Sequence, residues 1–212
     1  MTVVEAVRRE STVERTVMLT DAVVAIAMTL LVLPLVEAVP EVDLEDVGAF
    51  VGDHLSLFVS FVVSFLVILL FWAAHQRLFA LVSEMTVSLR LLNAAWLLVI
   101  AFLPFPTALV GRNPTTSTTP IYIGTVLVLD LISVGMTVAI ARTSADEGHR
   151  AYLRRRAVVA LAAATVLLAC TLIASVSPDV ALLALLSIAV VRLVGDRWAG
   201  GALRTNHAGE AR

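Results

Sequence analysis

RTVMLTDAVVAIAMTLLVLPLV, residues 15 to 36, decides the fold. Every residue from Ala22 to Val36 except Thr29 is apolar, and extending the run back to Met18 supplies the roughly 20 residues a helix needs to cross a hydrocarbon layer about 30 Å thick. The stretch therefore reads as a membrane helix. It also carries Arg15 and Asp21 at one end and Thr29 in its middle. A carboxylate at the edge of lipid is costly unless protein groups pair with it, so Asp21 is expected to face a neighbouring helix of its own subunit.

Advancing 100° per residue gives the faces of this helix. Relative to Ile26, Thr29 lies about 60° to one side, Leu30 about 40° to the other, and Leu33 returns to within about 20°. These four make one stripe. Asp21 lies about 140° from Ile26, whereas Arg15 comes back to about 20° from the stripe if the helix runs that far. Such a stripe either packs on another helix or lines a surface shared between subunits, and periodicity leaves both readings open. Pro34 has no N–H to donate to the carbonyl of Leu30 and its ring crowds that oxygen, so the helix should bend there.

The rest of the 212 residues calls for the same solvent. At 59% hydrophobic and 15% charged, with a mean hydropathy of +0.96, the chain lies far from a soluble domain, where about 45 to 50% and 25% are usual. Six apolar segments, near 17–36, 55–79, 88–110, 120–141, 155–176 and 179–195, predict an all-α integral membrane protein with six transmembrane helices within residues 1–196. The polar, Gly-containing tail 197–212 is expected to be disordered and cytoplasmic. The basic residues number 15 and all are arginine; only Arg112 falls in a loop on the side opposite the termini. That asymmetry predicts a multi-pass protein with both termini in the cytoplasm; the absence of lysine hints at a GC-rich bacterial genome, and the expected location is the plasma membrane of a bacterium. The loop after the first helix reverses the sign, with Glu37, Glu41, Asp43, Glu45, Asp46 and Asp53 and no basic residue. Around a pore mouth these charges would concentrate cations.

Polar residues inside the other segments sort by spacing. Ser56, Ser60 and Ser64 form a small-xxx-small face suited to close helix packing. Trp72 and His75 share a face of the second helix, and Asn93 and Trp96 repeat the spacing on the third. They read either as a set that satisfies Thr20 and Asp21 or, at His75, as a pH-sensing group. Asp130 sits at mid-membrane, on an ion pathway or facing the hydroxyls of Thr125, Ser133 or Thr165. The arginine-rich run from Arg142 to Arg156 reads as a cytoplasmic topology signal in reach of anionic membrane lipid. No phosphate-binding glycine loop, nucleophile elbow or zinc spacing occurs, so neither an enzyme, a metal centre, a cofactor nor a nucleic-acid partner is expected.

Two blocks resemble the transmembrane-protein-175 family of potassium channels. Arg15, Leu19, Thr20 and Asp21 stand where that family's RxxxFSD signature has its Arg, Phe, Ser and Asp. SFLVILLFWAAHQRLF from Ser64 and LLNAAWLLVIAFLPFPTALVG from Leu91 are similar to the family's second and third helices. The resemblance covers the N-terminal half, while the C-terminal half matches in hydrophobic layout alone. It implies a homotetramer conducting potassium and other monovalent cations through a pore lined by the first helix of each subunit, constricted at Ile26, with Thr29, Leu30 and Leu33 in further layers. It assigns Arg15, Leu19, Thr20, Asp21, Trp72, His75, Asn93 and Trp96 to the motif and its structural network. No TVGYG filter is present, so a pore-loop ring of carbonyls is not expected. The alternative from a different class is a proton- or cation-coupled transporter or small-molecule exporter using Asp130 and His75.

Overall fold

The computed structural model describes residues 3–39, 47–82, 84–144 and 146–176, with side chains from residue 12 onward. All its regular structure is helical: α1 Val3–Leu30, α2 Leu33–Ala38, α3 Val47–Asp53, α4 Leu55–Phe79, α5 Val87–Phe102, α6 Pro104–Arg112, α7 Thr118–Thr143 and α8 Glu147–Ala174. Five spans are long and apolar enough to cross a membrane: Thr12–Ala38, Leu55–Phe79, Val87–Arg112, Thr118–Thr143 and Glu147–Ala174. The segment expected at 179–195 and the tail 197–212 lie outside the described residues, as do Glu41, Asp43, Glu45 and Asp46.

Three observed helix boundaries differ from the expected ones, and local chemistry accounts for each. The first span is interrupted, not merely bent: α1 stops at Leu30, a turn covers Leu31 and Val32, and α2 begins with Pro34 in its first turn. That is the place where proline's missing N–H costs nothing. The third span divides at Leu103 because Pro104 and Pro106 open α6 in the same way. The last described helix starts at Glu147 rather than 155, since Asp146 caps it, accepting from the N–H groups of Gly148 at 2.6 Å and His149 at 3.2 Å. Those two donors hold the Asp146 carboxyl below the usual carboxylate range.

Packing follows the periodicity of the buried residues. On α5 these are Leu89, Asn93, Trp96 and Ile100, and on the first span Thr20, Val24 and Ala27 of α1 with Leu31 of the turn that follows, in each case one face at steps of three and four. α7 packs along α8 and α5, α4 packs on α6, and α1 lies across α4 and α5. The serine face of α4 receives α6 and α7: Ser56 donates to the Gly111 carbonyl at 2.6 Å, and Ser64 Oγ pairs with the Tyr122 hydroxyl at 3.0 Å and with the Thr107 hydroxyl at 2.9 Å. Gly111 is required here, because a Cβ would collide with Ser60 Oγ and press on Leu57. The outward faces are greasy throughout, with Leu98, Val158 and Leu172 all more than 60% exposed. Such surfaces belong in lipid or against another subunit.

Candidate functional site

The site is α1, read from its two sides. One side is held by polar side chains. Asp21 Oδ1 accepts from Trp72 Nε1 at 2.8 Å and from the Gln76 amide, so one carboxylate oxygen takes two donors from α4. Beside it, Thr20 is fully buried; its hydroxyl donates to the Thr16 carbonyl at 2.9 Å and accepts from Asn93 Nδ2 at 3.4 Å. Asn93 Oδ1 in turn meets His75 Nε2 at 2.8 Å. A carbonyl oxygen only accepts, so Nε2 carries the proton and Nδ1 is the bare ring nitrogen. That nitrogen has no hydrogen-bond partner among the described residues, and the ring lies stacked on Phe79 at 4.0 Å and tilted against Trp96 at 4.6 Å. The chain His75 to Asn93 to Thr20 to Thr16 thus runs in one donor direction and pins α1 to α4 and α5.

The opposite side of α1 is bare. Met18, Leu19, Ile26 and Leu30 are exposed by 67%, 57%, 60% and 45%, and Leu33 at the start of α2 by 49%, with Arg15 and Thr29 exposed in the same row of α1. Thr29 Oγ1 donates to the Ile26 carbonyl at 2.7 Å, so its proton is committed to its own helix while its lone pairs face outward. The span that contains α1 is the least covered of the five, 22% of it being buried against 39% for α4 and α7.

Placement of the expected network is therefore uneven. Thr20, Asp21, Trp72, His75 and Asn93 come together, but Arg15 and Leu19 sit on the bare side with Ile26. Trp96 reaches away from Asp21: its indole donates to Ser133 Oγ on α7 at 3.2 Å, extending the polar layer to a third helix. Sequence reasoning missed Gln76, although it lies four residues after Trp72 and so on the same face. It gave no sign of the role of Arg156 either. That guanidinium is 8% exposed and turns inward, donating to the Ala74 carbonyl at 2.6 Å, while Arg154 and Arg155 face outward. Asp130 is fully buried on α7, and the hydroxyls expected to face it donate instead to their own helices: Thr125 to Ile121, Ser133 to Leu129 and Thr165 to Ala162. Among the described residues no three His, Cys, Asp or Glu side chains gather as a metal site would require.

Residues 15–104 match the family model described as endosomal/lysosomal potassium channel TMEM175. A potassium channel of Chamaesiphon minutus is 38% identical over 95 residues, which is 43% of this chain and 46% of that one. A potassium channel of Streptomyces collinus is 37% identical over 95 residues, 43% of this chain and 44% of the relative. The human endosomal/lysosomal proton channel TMEM175 is 31% identical over 104 residues, 48% of this chain and 20% of the human one. The match thus spans less than half the length of either bacterial relative. The fold extends further than the sequence match. The crystal structure of a lysosomal potassium-selective channel TMEM175 homolog from Chamaesiphon minutus superposes with a TM-score of 0.74, at 22% identity, over 87% of this chain and 97% of that one.

Proposed function

We propose that the chain, whose residues 15–104 match the family described as endosomal/lysosomal potassium channel TMEM175, forms a passive, potassium-preferring cation channel rather than an enzyme. Four subunits surround an axis, each presenting the bare side of α1. The observation that carries this reading is the division of α1 into a face fixed by hydrogen bonds to α4 and α5 and a face from Arg15 to Leu30, continued by Leu33 of α2, that is exposed among the described residues. Lipid alone could cover apolar residues, yet Arg15 and Thr29 lie in the same row, and polar groups in a membrane turn toward water or protein. Ile26 forms the narrowest layer, where apolar side chains gate by dewetting. Thr29, Leu30 and Leu33 form layers beyond it, and Arg15 stands at the cytoplasmic end. The protein lies in a bacterial plasma membrane with both termini inside.

Proteoliposomes loaded with potassium test this directly. The purified protein should release potassium down its gradient without a second ion gradient or a saturable substrate, which a coupled transporter using Asp130 and His75 would need. Ile26→Asn should raise the flux and reduce discrimination between potassium and sodium. If a folded Ile26→Asn protein keeps both quantities unchanged, Ile26 is not the constriction.

A further inference from the structure

Away from α1, one side of α8 changes character along its length. Counting 100° per residue from Arg150, Leu161 falls at about 20°, Arg154 at about 40°, Thr165 at about 60° and Val158 at about 80°, so the five share a side of the helix. Arg154, Val158, Leu161 and Thr165 are exposed, and Arg150 keeps 43% of its side chain open. Two cations are thus followed by an apolar row. Thr165 does not break the row, because its hydroxyl proton goes to the Ala162 carbonyl at 2.8 Å. The two guanidiniums are free to take a ligand. Arg150 lies 3.6 Å from Glu147, itself 94% exposed, and an open pair of that kind contributes little. Arg154 has no partner among the described residues.

The inward turn of Arg156 sets the depth of this row. Its bond to the Ala74 carbonyl ties α8 to a point seven residues past Val67, the middle of α4, or about 10 Å from the bilayer centre at 1.5 Å per residue. Arg154 then lies about 13 Å and Arg150 about 19 Å from the centre, on either side of the edge of a hydrocarbon layer about 30 Å thick. Side chains tilt toward the N-terminus of their helix, which for α8 is the headgroup side. Val158 and Leu161 fall about 7 and 3 Å from the centre, at acyl-chain depth in the same leaflet. We propose that this row binds one anionic phospholipid, its phosphate held between Arg150 and Arg154 and one acyl chain lying along Val158, Leu161 and Thr165. Guanidinium is the side chain whose donors match a phosphate in pairs. The site is independent of the pore reading, because α1 takes no part in it.

Photolabelling of the full chain in mild detergent tests this, with a phosphatidylglycerol that carries a diazirine on one acyl chain. Adducts should saturate, map to residues 158–165 of α8, and be displaced by unlabelled phosphatidylglycerol but not by phosphatidylcholine or inorganic phosphate. Arg154→Gln should weaken apparent affinity about fivefold, and Arg150→Gln combined with it about 25-fold in all. Arg154→Lys should lose less than Arg154→Gln. Because Arg154 has no protein partner to lose, Arg154→Gln should melt where the parent does. Arg155→Gln is the control: it removes the same charge from a position 100° round the helix from Arg154, and it should bind like the parent. The proposal is overturned if Arg155→Gln weakens binding as much as Arg154→Gln, which would mark general surface charge. It is equally overturned if phosphatidylcholine or inorganic phosphate competes as well as phosphatidylglycerol, or if α8 takes no label because protein covers this row. Adducts at Leu98 or Leu172 as abundant as those at 158–165 would also overturn it.

Discussion

Asp21 concentrates two donors on one oxygen, and the consequence can be measured residue by residue. Hydrogen bonds to a charged acceptor are roughly twice as strong as neutral ones, so Asp21→Asn should lower stability by about 1 to 3 kcal/mol. Gln76→Leu, which removes one donor and leaves Trp72 in place, should cost less, about 1 to 2 kcal/mol. Thermal unfolding of the purified proteins checks both values. The potassium-to-sodium permeability ratio should stay put in each, since Asp21 faces α4 and not the bare side of α1. A changed ratio with unchanged melting would place the carboxylate in the ion path. Residues at this scale were legible where a polar group interrupts an apolar segment and a partner recurs at three-residue spacing, as with Trp72, His75 and Asn93. Arg156 was not legible. Adjacent arginines advance 100° around a helix, and nothing in a run of three says which one turns inward.

Between elements, the two proline breaks and one glycine contact set the shape. Pro34→Ala restores an N–H that can bond the Leu30 carbonyl, so α1 and α2 should fuse into one helix and the protein should be no less stable. In the proposed pore this withdraws a carbonyl from the outer end, and relative permeabilities among alkali cations should converge. Reversal-potential measurements with potassium, rubidium and sodium decide it, and unchanged ratios would confine Pro34 to shaping the outer end. Gly111→Ala is expected to push α6 off α4 and strain the Ser56 bond to the 111 carbonyl, costing about 1 to 3 kcal/mol. An unchanged melting temperature would mean that Ser60 can rotate aside. Hydropathy placed the five described spans but not their ends, because it reports the part of a helix that meets lipid. Capping reports where the helix begins, and Asp146 starts α8 a full two turns before its apolar run.

At the scale of the molecule, the bare side of α1 calls for copies of the chain. Mass measurement of the complex in mild detergent should give four subunits, and a monomer that still conducts would rule out the shared-axis pore. The layout of apolar segments was readable from composition alone. The meeting of α5 with Ser133-bearing α7 through Trp96 was not, because it depends on how the helices cross. Those meetings also carry a schedule. Asp21 is made 51 residues before Trp72 and 55 before Gln76, Thr20 waits 73 residues for Asn93, and the Ala74 carbonyl waits 82 for Arg156. At about 5 to 20 residues per second, the growing chain holds the Asp21 carboxylate without those donors for roughly 3 to 10 seconds. During that interval α1 can rest only where water still reaches position 21, so its final depth in the bilayer is set when α4 leaves the ribosome and not when α1 does.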